Sequence, residues 1–198
     1  LCGDRIGCAV QFDPLGRLQM KTCKHCGSTF NPCRPLQSVC SPICASRLVK
    51  ASKKAEIQTT RARREAIKTI PQLIREAQFA FNAYIRARDR EKTCICCGQP
   101  LELSAVGGGY DCGHYRSTGS ASHLRFDEDN AHGQRKVCNR YGAGRAVDYR
   151  IGLIARIGLA RVEALETNNQ VGKWTADRLR AIKAEYRAKL KELEKAAA

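Results

Sequence analysis

No apolar run in this 198-residue chain reaches the roughly 18 residues a membrane-spanning helix needs; the longest candidate, 151–165, is interrupted by Arg156 and Arg161. The first twenty residues lack a continuous apolar segment of the kind a secretory signal requires, so an intracellular chain is expected. Methionine and tryptophan each occur once and aromatic residues make up 6%. Acidic residues are also scarce: 19 Asp and Glu face 35 Lys and Arg, giving a formal charge of +16. With 43% hydrophobic residues the chain still has the material for a folded core, which argues against general disorder. A surplus of this sign points to an acidic polymer as partner, nucleic acid first among them.

What is abundant is cysteine. The twelve cysteines fall in blocks: five from Cys23 to Cys44, five from Cys94 to Cys138, and Cys2 and Cys8 ahead of Met20. Residues 1–19 carry no helical or strand periodicity and read as an extension ahead of a natural start at Met20, or as a disordered tail. Charge interleaves with the cysteines. Residues 93–148 hold six basic and six acidic side chains, whereas 45–92 carry a net +8 and 149–198 a net +5.

The first block pairs Cys23-x2-Cys26 with Cys40-x3-Cys44. A C-x2-C turn sets two thiolates on one edge of a zinc tetrahedron. Ser41-Pro42 is a helix-start signal, which places Cys40 before the cap and Cys44 in the first turn, as in a treble-clef-like knuckle. The helix N-terminus also favours thiolate over thiol. Cys33 and His25 are spare candidates. A segment this polar has little prospect of folding without a metal.

Residues 45–68 read as an exposed basic helix in which Arg61, Arg63 and Arg64 suit phosphate contact. A second helix begins at Pro71 and ends near Glu91. Leu73, Ala77, Ala80, Phe81 and Tyr84 form its core-facing stripe, with Arg86 and Arg90 off that stripe. Towards the C-terminus Asp148 is expected to cap a helix over 149–157 that stops at Gly158, and a short helix follows over 160–166. Thr175 caps the last helix, with Trp174 and Leu179 as a hydrophobic staple. Leu179, Ile182, Tyr186, Leu190 and Leu193 give that helix an apolar face, suited either to closing the core or to a homodimer; Arg180, Lys183, Arg187 and Lys191 give it a basic one.

Between 93 and 148 lie Cys94-x2-Cys97, a triple glycine at 107–109, the string DCGHYRST at 111–118, Asn130, His132 and Cys138-Asn139. Apolar runs at 101–106 and 110–115 flank the glycines and predict a β-hairpin ending at His114. The order strand, His, Asn, Cys-Asn, helix is what a ββα-metal nuclease needs: an imidazole to activate water, an asparagine to hold the ring, and polar groups at a helix start to hold a divalent ion.

CSPIC at 40–44, FNAYIRARDR at 81–90, CICCG at 94–98, DCGHYRST at 111–118, LRFDEDNAH at 124–132, CN at 138–139 and RAIKAEYRAKLKEL at 180–193 together resemble the NinG, or Rap, recombination proteins of lambdoid phages. The resemblance implies a structure-specific, HNH-like endonuclease acting on branched DNA such as Holliday junctions and D-loops in the bacterial cytoplasm, with other recombination proteins as candidate partners. It implies His114 as general base, Asn130 as the residue that orients it, and Asp111 and Asn139 as Mg²⁺ ligands. A second zinc site would use Cys94, Cys97 and Cys138. Three departures stand out. Arg135 occupies the position of a fourth zinc-binding cysteine, leaving Cys96, Cys112 or His132 to complete the site; Tyr141 stands where relatives tend to carry histidine; and the triple glycine lengthens the hairpin. A non-catalytic, zinc-dependent DNA-binding recombination factor is the alternative these departures keep open.

The expected architecture is therefore α+β: a zinc knuckle at 20–48, a basic helical region at 49–92, an HNH-like core at 93–148 and C-terminal helices at 149–198. Arg61, Arg63, Arg64, Arg86, Arg90 and Arg116 are the expected DNA contacts, with structural Zn²⁺ and catalytic Mg²⁺ as the expected metals.

Overall fold

The computed structural model describes residues 20–34, 36–102 and 109–197. Expectations for residues 1–19 and for the glycine-lengthened turn lie outside them. Contacts divide the chain into two units, with the boundary between Ile67 and Lys68, inside the basic helical segment.

In the first unit, two short strands, β1 (Lys21–Thr22) and β2 (Thr29–Phe30), pair antiparallel and frame a knuckle that carries Cys23 and Cys26. Gly27, with φ at +74°, supplies the left-handed turn that lets its N–H close on the Cys23 carbonyl at 3.0 Å. The helix α1 (Pro42–Ala66) starts where Ser41-Pro42 predicts: the Ser41 hydroxyl accepts from the Cys44 N–H at 3.2 Å and proline occupies the first turn. Cys44 is its only buried side chain.

The second unit is built on α2 (Ile70–Arg88). The Thr69 N–H donates to Gln72 Oε1 at 2.9 Å to cap it. Leu73, Ala77, Ala80, Phe81 and Ile85 form its buried stripe, while Tyr84 is half-buried. They pack against Leu179, Ile182 and Tyr186 of α5 (Ala176–Ala196), with Cys112, Phe126 and Ala131 closing the cluster. Thr175 caps α5 as expected, and Trp174 packs on the same core. The apolar face of α5 thus closes the core of this unit over its first three turns.

The strand β3 (Tyr110–His114) does form and ends at His114, but its partner differs from the expected one. It pairs antiparallel with β4 (Ala131–Arg135), Asp111 opposite Gln134 and His114 opposite Ala131. Of the expected partner segment, Leu101 and Glu102 lie outside any strand and 103–108 lie outside the described residues. After β4 comes one π-helical turn, Val137–Tyr141, and then α3 (Ala146–Ile157) and α4 (Leu159–Thr167). Asp148 sits in the first turn of α3 rather than capping it. The cap position is Arg145, held at φ +49° beyond Gly144, and the helix begins two residues ahead of Asp148. Gly158 ends α3 at φ +86°, as its residue type predicts. Tyr149 and Leu153 of α3, Val162 and Leu165 of α4, and Ile95, Ala121 and Leu124 form a second apolar cluster. Gly152 allows this packing, since a Cβ there would collide with the Ile95 carbonyl. No helix among the described residues is long and apolar enough to cross a membrane.

Candidate functional site

Three groups of reactive side chains emerge. The first is the N-terminal cysteine cluster, where the sulfurs of Cys23, Cys26, Cys40 and Cys44 all lie within 4.8 Å of one another. Two of the separations are 3.6 Å, Cys26 to Cys40, and 3.5 Å, Cys40 to Cys44. Thiolates at the corners of a zinc tetrahedron with bonds of about 2.3 Å stand about 3.8 Å apart, so this set fits the ion. The electrostatics agree. Backbone N–H groups, that of Cys26 first, draw the Cys23 thiol down to about 6, while the crowding of Cys44, Cys26 and Cys23 pushes Cys40 up to about 12. Four sulfurs so close cannot all ionise unaided; a dication removes the conflict. Cys33 and His25 are not in the cluster.

The second group is Cys94, Cys97 and Cys138, whose sulfurs also lie within 4.8 Å of one another. Cys96 neighbours Cys94 but lies outside the mutually close set: its thiol donates to the Gly144 carbonyl (3.7 Å) and its sulfur accepts from Gln134 Nε2 (2.7 Å). Cys112 packs in the α2–α5 core, where burial pushes its thiol up to about 12. His132 is buried with both ring nitrogens engaged, Nδ1 by Arg88 at 3.1 Å and Nε2 by the Asp129 carbonyl at 3.1 Å. Neither Cys112 nor His132 completes this cluster.

The third group surrounds His114, which is half-buried at the end of β3 with its ring 6.0 Å from that of Phe81. His114 Nε2 lies 3.0 Å from the Arg125 carbonyl. A carbonyl only accepts, so Nε2 carries the proton and Nδ1 keeps a lone pair. Burial lowers the pKa of the ring, which favours the neutral base. Asn130 is fully buried, but it does not bond the imidazole. Its Oδ1 accepts from the Arg116 N–H at 2.8 Å, and its Nδ2 donates to the carbonyls of Arg116 (3.0 Å) and Leu124 (3.1 Å). It therefore fixes the backbone from which the neighbouring Arg125 carbonyl reaches the ring.

Asp111 and Asn139 do come together, at 3.3 Å, but Asn139 directs its amide nitrogen to the carboxylate and Arg140 takes both carboxylate oxygens, at 2.8 and 3.1 Å. Burial pushes the Asp111 carboxyl up, and the hydrogen bonds from Arg140 and Asn139 outweigh it, so its pKa lies low. A Mg²⁺ ion does not fit this arrangement while Arg140 holds Asp111. His114 lies three residues further along β3 and on the other side of the pleat.

Of the expected DNA contacts, Arg61, Arg63 and Arg64 lie exposed on α1, and Arg90 lies exposed just beyond α2. Arg86, on α2, is half-buried. Arg116 is committed elsewhere. Its guanidinium donates to the carbonyls of Leu165 (2.9 Å) and Asn168 (2.5 Å) and to Asn169 (3.0 Å), which ties the β3 exit to the end of α4.

The sequence reading missed Asp89. It is fully buried, accepts from Arg88 at 2.9 Å on each oxygen, from Lys92 at 2.8 Å, and from the Gly133 N–H of β4 at 2.8 Å. A signal was available, since an acid at a helix C-terminus opposes the helix dipole and needs another reason to be there.

The fold and these clusters define a basic α+β chain with one four-membered and one three-membered cysteine set that could hold a metal ion. The family model described as Bacteriophage Lambda NinG protein matches residues 16–196, and the chain belongs to this NinG family. It is 39% identical to Protein ninG of Salmonella phage P22, over 90% of this chain and 96% of that protein. It is 38% identical to Protein ninG of Escherichia phage lambda and to that of Escherichia phage 933W, in both cases over 87% of this chain and 93% of the relative. No solved structure matches the chain.

Proposed function

We propose that this protein is a divalent-metal-dependent endonuclease of HNH-like type that hydrolyses phosphodiester bonds in branched recombination intermediates such as Holliday junctions and D-loops. The observation that carries the reading is the state of His114: a neutral imidazole whose proton is fixed on Nε2 by the Arg125 carbonyl, leaving Nδ1 as an acceptor. That is the state a general base needs to take a proton from water as it attacks phosphorus. Asn130 serves as a positioning residue through the backbone it clamps. The order β3, β4, helical turn supports the HNH-like reading, and the surplus of positive charge outside 93–148 supports a nucleic-acid substrate. Ion binding at Asp111 would require Arg140 to release its carboxylate.

The test is cleavage of a labelled four-way junction with and without Mg²⁺. Wild type should nick the junction, and His114→Ala should lose at least 100-fold in rate, the order of a general base's contribution, while binding the same DNA. Because burial lowers the His114 pKa, the active base form persists down to pH values below the ordinary imidazole value of about 6.5, and the acid limb of the rate profile should lie there. A wild-type protein that binds the junction tightly yet never cuts it with any divalent ion would overturn the enzyme reading. It would instead support a DNA-binding factor with a degenerate nuclease site, the second reading, which the Arg140–Asp111 pair favours.

A further inference from the structure

Two cysteine clusters in one chain invite the assumption of two equivalent zinc sites, but their surroundings differ. Around Cys23, Cys26, Cys40 and Cys44 four sulfurs converge. Around Cys94, Cys97 and Cys138 only three do, and among the described residues no fourth Cys, His, Asp or Glu joins them. Two arginines stand beside them instead. The Arg135 N–H donates to Cys94 Sγ at 3.4 Å, and its guanidinium stands beside the Cys97 sulfur and hydrogen-bonds Glu102 at 3.1 Å. The Arg145 guanidinium stands beside the Cys138 sulfur and hydrogen-bonds Asp148 at 2.7 Å. Next to Cys138 opens a cavity of about 340 Å³ lined by Val137, Cys138, Tyr141, Gly142 and Arg145.

We propose that the second cluster is an open zinc site: three thiolates from Cys94, Cys97 and Cys138 hold one ion, and its fourth position is left to water or a small exogenous donor admitted from the cavity beside Cys138. Zinc displaces the three thiol protons and leaves a net charge of −1; the two guanidiniums beside it are themselves paired with Glu102 and Asp148, so the surroundings add no net charge and the site favours a neutral fourth ligand such as water. An arginine cannot itself ligate, since the guanidinium has no lone pair to offer. Closed four-thiolate sites are structural, whereas three protein ligands with an open corner leave the ion able to exchange ligands. This inference is independent of the endonuclease reading.

The experiment uses the full chain loaded anaerobically with Zn²⁺ or Co²⁺. Elemental analysis should give two metal ions per chain for wild type and one for Cys94→Ser. The thiolate-to-cobalt charge-transfer band should correspond to seven thiolates over two ions. Imidazole, used as the exogenous probe, should shift the cobalt d–d bands of wild type. In Arg135→Cys, which supplies a fourth thiolate, the charge-transfer band should rise by one thiolate and the response to imidazole should disappear. One metal per wild-type chain, unchanged in Cys94→Ser, overturns the proposal, as do two metals whose d–d bands ignore imidazole. Should Cys94→Ser fail to fold, the comparison of wild type with Arg135→Cys decides between an open and a closed site by itself.

Discussion

Single residues carry more of this fold than their types advertise, and Asp89 is the clearest case. Its buried carboxylate receives Arg88 and Lys92 and also the Gly133 N–H, so one side chain ties the end of α2 to β4. Burial raises its pKa, but the side chains of His132, Arg88 and Lys92 outweigh it and hold the carboxyl far below the usual range. Asp89→Asn keeps the shape but leaves Lys92 without its counter-charge and Arg88 with only the more distant Glu128, and should cost roughly 3–5 kcal/mol by urea denaturation. The pH dependence has a definite sign. A carboxyl depressed in the folded state stabilises above its unfolded value, about 3.9, and that contribution is lost as the pH falls below it. Wild type should therefore lose stability steeply below about pH 4, and the variant should lack that component. A variant as stable as wild type at pH 7 sinks this account. The same scale shows why the surroundings of His114 were only half legible. Histidine, asparagine and the cysteine spacings announce themselves by residue type. The group that fixes the His114 tautomer is the backbone carbonyl of Arg125, which leaves no mark in a sequence.

At the level of elements, the helices were legible because their stripes and caps are local. Ser41-Pro42, the stripe from Leu73 to Phe81, Gly158 and Thr175 all sit where their chemistry requires. The strand pairing was not, because β4 reads AHGQR, without a β-branched or aromatic residue to signal a strand. Its place comes from long-range bonds, Asp89 to Gly133 among them, that no window of sequence contains. Helix α1 adds a distinction the sequence reading did not make. At 100° per residue, Arg47, Lys50, Lys54, Arg61 and Arg64 fall within about 100° of arc and extend over about 25 Å, whereas Arg63 faces away. None of these five is in an ion pair among the described residues. If this stripe tracks phosphates, Lys50→Ala/Lys54→Ala/Arg61→Ala should weaken junction binding and reduce the slope of log K against log salt by about 0.9 per lost contact. Arg63→Ala should change either quantity little. Equal effects from both variants would show a diffuse positive field rather than a contact face, and that is settled by binding titrations at four or five salt concentrations.

For the molecule as a whole, the two units differ in what holds them together. The three apolar clusters found among the described residues lie within residues 68–198. Between residues 20 and 67 the buried positions among the described residues are Cys23, Pro32 and Cys44, too little apolar surface to offset the entropy of ordering a knuckle and a 25-residue helix. If the four-cysteine cluster takes up zinc, metal binding supplies much of the folding free energy of the first unit, while the second has a core of its own. The single tryptophan makes the two separable in one sample, because Trp174 packs edge-on against Phe126 with ring centroids 5.0 Å apart, inside the second unit. In Cys23→Ser/Cys26→Ser, far-UV circular dichroism should fall by about the share that α1 contributes to the helix content, and trypsin should cut first among Arg47, Lys50 and Arg61. The tryptophan emission and its thermal transition should stay within a few degrees of wild type, since the second cluster and the α2–α5 core are untouched. If helix content and protease resistance survive in the variant, the first unit folds without its metal and the four-cysteine cluster is not what organises it. If the tryptophan transition collapses along with the helix signal, the two units are not energetically separate.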